Sequence, residues 1–157
     1  TKLGYRQVEI PEIKEPKRRE EVRVVLAEDS AFLREMLILN LNKAGYIRTE
    51  FFENGQAALD HLTSLQRKSQ ETGRPFSEMV NMVITDIEMP LMDGLTLCRR
   101  IRKELKLSQL PVVFFSSLIN DQMKIKCAEV GGSGQITKPE LGSLVTLLDE
   151  FCLNQPA

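Results

Sequence analysis

From Val22 onward, short apolar runs alternate with longer stretches whose apolar residues recur at helical spacing, and this alternation strongly constrains the fold. Short runs rich in Val, Ile and Phe are typical of buried strands, whereas apolar residues three and four positions apart line one face of a helix. Five such pairs follow one another, and strands joined by crossover helices run parallel. The sequence therefore predicts an α/β fold with a five-stranded parallel sheet, doubly wound by helices on both faces.

The apolar runs and the residues between them set the expected element boundaries. We expect strands over residues 22–27, 47–52, 79–85, 112–115 and 135–137. We expect helices from a Ser30 cap toward Gly45, and over residues 55 to about 68, 94–104, 120–130 and 140–152. The polar residues 70–75 are expected to connect the second helix to the third strand.

The length of the chain limits the number of domains. With 157 residues, 42% of them hydrophobic, it can form one well-buried core but hardly two, because domains cluster near ~100–150 residues. Residues 1–21 contain two prolines and a charged run, so we interpret them as a linker to a preceding domain of a longer protein. The domain then covers residues 22–152, and residues 153–157 form a tail.

Charge and cysteine content argue against several classes of protein. The 21 basic and 22 acidic residues nearly cancel, so we expect no nucleic-acid partner, since that role needs concentrated positive charge. Cys98, Cys127 and Cys152 are odd in number and far apart, which favours reduced thiols and a cytoplasmic location. The apolar runs are far shorter than the ~20 residues that cross a bilayer, so no membrane segment is expected. We also expect a monomer.

Polar residues follow four of the predicted strands directly. In an open parallel sheet the ligand crevice lies beyond the carboxyl ends of the strands, so residues at those ends converge there. The strands end at an acidic pair, an aspartate, a serine and a lysine, namely Glu28 and Asp29, Asp86, Ser116 and Lys138. The crevice is thus predicted to hold three carboxylates, a hydroxyl and an ammonium.

These residue types together predict phosphoryl chemistry with a metal ion. Three carboxylates repel one another unless a cation offsets their charge, and Mg²⁺ is commonly held by one or two carboxylates plus phosphate oxygens. We therefore predict Mg²⁺ as the cofactor, with Asp29 and Asp86 as direct ligands. The Asp86 carboxylate can then attack a phosphoryl donor. Lys138 and the Ser116 hydroxyl would neutralise the transferred group and hydrogen-bond to it.

Each of these residues also has a purely structural interpretation when it is considered alone. Glu28 and Asp29 could simply favour the dipole of the first helix, and Asp86 could be a turn or capping residue. Ser116 could cap the fourth helix, and Lys138 could lie in a plain turn. Their joint placement at the ends of neighbouring strands favours the site.

Two other features do not point to chemistry. The glycine-rich run at residues 131–134 follows a predicted helix and lacks the GK[ST] ending of a phosphate-binding loop, so a helix-ending turn is favoured. His61 is the only histidine, and no metal-ligand spacing surrounds it. We interpret it as a surface or packing residue.

The residues at the strand ends resemble the receiver-domain family of bacterial two-component signalling. That family has an acidic pair, an aspartate, a serine or threonine and a Lys-Pro after successive strands, as in Glu28-Asp29, Asp86, Ser116 and Lys138-Pro139. Residues 84–94, ITDIEMPLMDG, are similar to the family's phosphoacceptor loop. The resemblance implies a flavodoxin-like five-stranded sandwich whose Asp86 is phosphorylated by a histidine kinase. It also implies a third metal contact from the Glu88 backbone carbonyl.

The sequence departs from the family pattern at two positions. Glu28 stands where aspartate is commoner, at a residue that in the family usually reaches the metal through water. Gln135 stands where the family often has the Tyr or Phe that changes rotamer on activation, so the aromatic half of the usual switch is missing. Glu88 and Leu118 are expected to tune the lifetime of the phosphoryl group by controlling water access.

Two short strings are most similar to one branch of this family, the C-terminal receivers of CheV-type chemotaxis coupling proteins. They are residues 114–119, FFSSLI, and residues 135–141, QITKPEL. The resemblance implies phosphorylation by the chemotaxis kinase CheA. It also implies a role at chemoreceptor arrays through an N-terminal coupling domain, which the predicted linker fits.

Other functions remain open from the sequence. The chain could be a stand-alone or other response-regulator receiver, or a pseudo-receiver that binds proteins without accepting phosphate. The Asp86-Ile87-Glu88 string loosely resembles the motif of haloacid-dehalogenase phosphatases, but that motif usually follows the first strand, and no cap domain is available. We therefore expect no enzyme activity beyond phosphotransfer to the chain itself and loss of that phosphate.

Overall fold

The computed structural model describes residues 17–117, 119–138 and 140–153. Most of the predicted linker (residues 1–16), Leu118, Pro139 and residues 154–157 of the predicted tail lie outside the described residues. No helix in the described part of the chain is both long enough and apolar enough to pass through a membrane.

Strands and helices alternate along the described chain, as predicted. The strands are β1 (Arg23–Ala27), β2 (Arg48–Phe52), β3 (Met82–Thr85), β4 (Val112–Ser116) and β5 (Gly134–Thr137). The helices are α1 (Ala31–Lys43), α2 (Gly55–Thr72), α3 (Gly94–Lys103), α4 (Asp121–Glu129) and α5 (Leu141–Leu148). All strand pairs are parallel, in the order β2-β1-β3-β4-β5, which confirms the predicted α/β fold class.

The sheet separates two apolar layers, and alternate residues of each strand face opposite layers. On β1, Val25 and Ala27 pack with the buried residues of α2 and α3, whereas Val24 and Leu26 pack with those of α1 and α5. All four are at most 1% exposed. Burying an aliphatic side chain of this size stabilises a fold by about 1.5–3 kcal/mol, so the two layers hold the strand ends in fixed positions.

Polar side chains cap the starts of four helices, where the first backbone N–H groups lack intrahelical partners. The Ser30 hydroxyl accepts a hydrogen bond from the Leu33 N–H (3.3 Å), which confirms the predicted cap of α1. Asn54, Asp93 and Asn120 accept equivalent bonds at the starts of α2, α3 and α4. Each helix start is therefore set by a local signal in the sequence.

Three predicted boundaries were wrong by three or four residues. Helix α2 continues through Thr72 and ends at Gly73, whose φ of 74° is left-handed, so the polar residues after 68 extend the helix. Strand β3 begins at Met82 and not at residue 79, because a 3₁₀ turn over Phe76–Glu78 precedes it. Helix α5 keeps regular geometry only to Leu148, and a π-helical turn over Asp149–Leu153 follows.

The end of the predicted linker contacts the domain through several hydrogen bonds. One group of them, which we call the clasp, consists of Arg19, Tyr46 and Asp149. Arg19 lies in a 3₁₀ turn, Arg19–Glu21. Its guanidinium donates to both Asp149 carboxylate oxygens (3.0 and 2.6 Å) and to the Ala44 carbonyl (2.8 Å). The buried Tyr46 hydroxyl also donates to Asp149. The clasp joins the chain before β1 to the turn after α5.

Candidate phosphoacceptor site

The candidate site lies at the carboxyl ends of four strands that neighbour one another in the sheet. Ala27 pairs with Thr85 between β1 and β3, and Ser116 pairs with Thr137 between β4 and β5. The register therefore places the last residue of β4 and the residues that follow β1, β3 and β5 at one edge. The predicted convergence of Glu28, Asp86, Ser116 and Lys138 follows from this arrangement.

Three carboxylates meet at this edge. One oxygen from each of Glu28, Asp29 and Asp86 lies within 4.8 Å of the others. Glu28 and Asp86 are only 2% and 8% exposed, whereas Asp29 is exposed to solvent. The cluster is open on one side and closed on the other.

The Lys138 ammonium bridges two of these carboxylates. Its Nζ lies 2.8 Å from Glu28 Oε1 and 3.1 Å from Asp86 Oδ2, and the lysine side chain is 14% exposed. Because ion pairs in a poorly hydrated environment are screened less than those at the surface, both contacts fix the lysine head group strongly. The same Nζ lies 5.9 Å from the centre of the Phe115 ring.

The pKa values in the cluster follow from burial and from these contacts. Burial raises the pKa of Glu28, and the charge of Asp86 adds to this, while Lys138 and the Ser30 N–H act in the opposite direction. Burial alone would lower the pKa of Lys138, but its contacts with Glu28 and Asp86 raise it above the usual value. The lysine is thus charged at neutral pH, whereas burial disfavours the charged form of the neighbouring Glu28 carboxylate.

The chemistry of the donors fits a divalent cation. Three carboxylates against one ammonium leave two formal negative charges, which one divalent ion would neutralise. The donors are hard oxygens, of the kind that Mg²⁺ selects. Glu28, Asp29 and Asp86 each offer one such oxygen to the cluster. The Glu88 side chain is exposed, and the role of its backbone carbonyl stays a prediction.

Backbone hydrogen bonds orient Asp86. Its N–H donates to the Ala27 carbonyl (3.0 Å), and its Oδ1 accepts from the Ile87 N–H (2.7 Å). The Thr85 hydroxyl donates to the Asp86 carbonyl (2.8 Å). The other carboxylate oxygen of Asp86, Oδ2, accepts a hydrogen bond from Lys138 Nζ (3.1 Å).

Ser116 lies where the sequence predicted it, at the end of β4, and is 1% exposed. Its backbone carbonyl accepts a hydrogen bond from the Lys138 N–H (3.1 Å), so the serine and the lysine are tied together through their backbones. A movement of the Ser116 backbone would therefore also move the Lys138 backbone. Gln135 lies on β5 and pairs with Phe114. It lines an open groove between α4, β5 and α5, where the family's aromatic residue would stand.

Sequence reasoning missed two residues that build the site. A Cβ on Gly94 would lie 2.0 Å from the Asp86 backbone oxygen, so only glycine allows the start of α3 to approach the loop so closely. The Asp93-Gly94 pair at the end of the phosphoacceptor loop was the signal. The second residue is Arg34, whose Nη1 donates to the Glu28 carbonyl (2.7 Å). Its place near the start of α1, a few residues after Glu28, was the signal in the sequence.

The two features that were predicted to be structural make structural contacts. His61 stacks on Phe52 with ring centres 4.9 Å apart and lies 3.2 Å from a Glu50 carboxylate oxygen. Gly131 has a φ of 90°, and its N–H donates to the Ala128 carbonyl (3.0 Å) at the end of α4. Both predictions, a packing histidine and a helix-ending turn, are confirmed.

Comparisons with known proteins agree with this geometry. The family described as "Response regulator receiver domain" matches residues 24–149. The osmosensing histidine protein kinase SLN1 of Saccharomyces cerevisiae is 31% identical over 91% of this chain and 11% of its own length. The chemotaxis protein CheV3 of Helicobacter pylori is 30% identical over 78% of this chain and 38% of its own length. The chain spans less than half the length of these relatives.

A solved structure shares the fold. The receiver domain of the histidine kinase CKI1 from Arabidopsis thaliana, crystallised with Mg²⁺ and BeF₃⁻, has a TM-score of 0.74 with this chain. The two are 24% identical, and the match covers 83% of this chain and 89% of the other. At this identity the likeness concerns the fold alone.

Proposed function

Because this chain belongs to the response regulator receiver domain family of two-component signalling, we propose that Asp86 accepts a phosphoryl group from a histidine kinase. The observation that carries the proposal is the pairing of Asp86 Oδ2 with Lys138 Nζ at 3.1 Å, beside an acid cluster that spans at most 4.8 Å. A nucleophilic carboxylate, a cation and a place for a metal ion thus meet at one point.

The transfer forms one bond and breaks one. An Asp86 carboxylate oxygen bonds to phosphorus while the bond from phosphorus to the donor's nitrogen or oxygen breaks, and the leaving group departs with the electron pair. Phosphoryl transfer needs chiefly alignment and neutralisation of charge on the phosphoryl oxygens. Lys138 supplies positive charge, and the Ser116 hydroxyl supplies a hydrogen-bond donor on the neighbouring strand.

A magnesium ion is proposed as the second source of positive charge. Asp29 and Asp86 would hold it directly, with the Glu88 backbone carbonyl as a third contact and Glu28 acting through water. When bound, the ion neutralises phosphoryl oxygens and orients the donor. Asp29 is exposed, so the ion can enter from the solvent side while Glu28 and Asp86 remain buried.

The proposed reaction ends on the protein itself. Asp86 is consumed as the acceptor and restored when water removes the phosphate, so no substrate other than the donor and water is processed. Glu88 and Leu118 are proposed to set how easily water reaches the acyl phosphate. On this proposal the chain is a signalling domain and not an enzyme acting on other molecules.

We propose chemotaxis as the setting. The support is the 30% identity to CheV3 over 78% of this chain, together with the strings at residues 114–119 and 135–141. On this proposal residues 1–21 lead from a coupling domain to the receiver, CheA is the kinase, and the assembly works in the cytoplasm at chemoreceptor arrays. A receiver with another output is the alternative, favoured by the similar identity to SLN1.

The test of the acceptor uses wild type and Asp86→Asn, which keeps shape and removes the nucleophile. Each is titrated with beryllofluoride, and separately incubated with acetyl phosphate, in the presence of Mg²⁺, while backbone NMR follows the amides near the four strand ends. We expect saturable, magnesium-dependent shifts in the wild type and none in Asp86→Asn. A folded wild-type spectrum that does not respond would contradict the proposal and favour the pseudo-receiver.

The kinase is tested separately. Phosphorylated CheA and a phosphorylated osmosensing kinase are each mixed with the chain, and transfer of radiolabelled phosphate is timed. If transfer from CheA is at least about tenfold faster than transfer from the osmosensing kinase, the result supports the chemotaxis setting. A receiver distinguishes its own kinase from another by the difference between the two binding free energies. Faster transfer from the osmosensing kinase contradicts it.

A further inference from the structure

Glu28 is held through both backbone groups and both carboxylate oxygens. Its N–H donates to the Phe52 carbonyl (2.9 Å), and its carbonyl accepts from Arg34 (2.7 Å). Its Oε2 accepts from the Ser30 N–H (3.1 Å), and its Oε1 lies 2.8 Å from Lys138 Nζ. A side chain fixed at this many points is a rigid support for whatever it contacts.

The contact between Glu28 and Lys138 is the shorter of the two that the lysine makes. Lys138 Nζ lies 2.8 Å from Glu28 and 3.1 Å from Asp86. Charged hydrogen bonds at such distances are among the strongest in proteins. Since both Glu28 oxygens are engaged, this carboxylate faces the lysine and the start of α1.

We infer that Glu28 is a positioning residue that holds the Lys138 ammonium beside Asp86 while Asp86 is being phosphorylated; this inference rests on the proposed function. When Asp86 Oδ2 bonds to phosphorus, the lysine loses one of its two carboxylate partners. Lysine has a long flexible stem, and the remaining contact with Glu28 keeps its charge within reach of the phosphoryl oxygens.

The length of the Glu28 side chain is part of the inference. Aspartate is shorter by one methylene, so a carboxylate at this position with an unchanged backbone would lie about 1.5 Å farther from the lysine. The main chain of Glu28 is held in place because its N–H donates to the Phe52 carbonyl and its carbonyl accepts from the Arg34 side chain. Glu28→Asp should therefore keep the charge and lose the contact, and Glu28→Gln should keep the shape and lose the charge.

The first measurement observes the lysine directly. In NMR spectra of the side-chain ammonium of Lys138, a head group held by two carboxylates exchanges its protons slowly and gives a signal. We expect this signal in the wild type and its loss in Glu28→Gln and Glu28→Asp, with backbone spectra that remain folded. Glu53→Gln is the matched control, because Glu53 is an exposed carboxylate near the same edge that pairs with Arg34 at 3.8 Å. An unchanged Lys138 signal in Glu28→Gln overturns the inference.

The second measurement separates the lysine from the metal. At saturating Mg²⁺, Glu28→Gln is expected to weaken beryllofluoride binding about tenfold, the size expected for one charged hydrogen bond. In a Lys138→Ala background the same change should alter binding less than about twofold, because coupled residues give non-additive effects. A full effect in that background would mean that Glu28 acts through the metal, and the inference would be wrong.

The two measurements distinguish this inference from the proposed function. If the wild type fails to bind beryllofluoride, the proposed function fails, and the inferred role in phosphorylation falls with it. If the wild type binds but Glu28→Gln matches Glu53→Gln in both measurements, the proposed function stands and only the role of Glu28 is rejected.

Discussion

The two ends of the sheet each gather charged side chains, and they balance charge differently. At the amino end, the clasp sets one guanidinium against one carboxylate, with the Tyr46 hydroxyl and the Ala44 carbonyl completing the hydrogen bonds. At the carboxyl end, three carboxylates share one ammonium. A group whose charges are balanced stabilises the fold, whereas a partly buried group with an excess of carboxylates favours the binding of a cation.

The pKa shifts in the two groups show the same contrast. In the clasp, partial burial alone would raise the pKa of Asp149, but the Arg19 and Tyr46 hydrogen bonds lower it below its usual value. In the site, burial raises the pKa of Glu28 despite its contact with Lys138. One carboxylate is stabilised in its charged form and the other is not. Mutations should therefore have different consequences at the two ends.

The largest effect on stability is expected at the site, from Gly94→Ala. The new methyl group would lie 2.0 Å from the Asp86 backbone oxygen, so the loop or α3 must move. We expect urea unfolding to show a loss of about 2–3 kcal/mol in the free energy of unfolding, typical of overpacking, together with weaker beryllofluoride binding. Gly142→Ala is the control, because a Cβ there meets nothing within 4 Å. Equal stability of the two variants would show that this close approach carries no strain.

A smaller loss is expected in the clasp, from Asp149→Ala. The buried Tyr46 hydroxyl would lose its carboxylate acceptor, and an unsatisfied buried polar group costs about 1–3 kcal/mol. Urea unfolding measures the loss, and beryllofluoride binding should stay unchanged because the clasp lies at the other end of the sheet. Glu150→Ala, at an exposed neighbouring residue, should have little effect. Impaired phosphoryl binding in Asp149→Ala would contradict the separation of the two ends.

Magnesium should stabilise the site and leave the clasp unaffected. A ligand that binds only the folded state at ten times its Kd adds about 1.4 kcal/mol to the free energy of unfolding. Thermal unfolding with and without Mg²⁺ measures this increment. We expect Asp149→Ala to keep it and Asp29→Asn to lose most of it. An increment of the same size in Asp29→Asn would remove Asp29 from the proposed ligand set.

The smallest effect is expected on the pH dependence of the clasp. The pKa of Asp149 is lower in the folded protein than in the unfolded chain, so its contribution is complete above the ordinary aspartate value of about 3.9 and is lost as the pH falls through the lowered pKa. The difference in unfolding free energy between wild type and Asp149→Asn should be constant from pH 7 to about pH 5. It should shrink in more acid solution, by less than about 1 kcal/mol for a partly exposed pair. A difference that grows on acidification would reverse the assigned sign.

Much of the site could be predicted because parallel sheets bring strand ends together whatever their separation in sequence. Asp86 and Lys138 are 52 residues apart and lie 3.1 Å from each other. The clasp could not be predicted in the same way. Arg19 and Asp149 are 130 residues apart, and neither follows a strand, so no rule of topology connects them.

Element boundaries show where local signals are sufficient. Ser30 begins α1 as predicted because its hydroxyl caps a neighbouring N–H, which is a bond within one turn. The start of β3 was predicted three residues too early, because the Met79 and Val80 N–H groups both donate to the Phe76 carbonyl in the preceding 3₁₀ turn. An apolar run does not reveal that turn. Val80 is apolar because it packs in the core, although it lies outside the paired strand.

The sequence by itself determined the order of strands and helices and the residue types that follow each strand, because periodicity and capping depend on neighbours within a few positions. Only the tertiary structure decided how the charges are shared. That Lys138 bridges Glu28 and Asp86 and that Arg19 pairs with Asp149 depend on the packing of distant segments. Distance and burial set the strength of such ion pairs, and neither can be inferred from the local sequence.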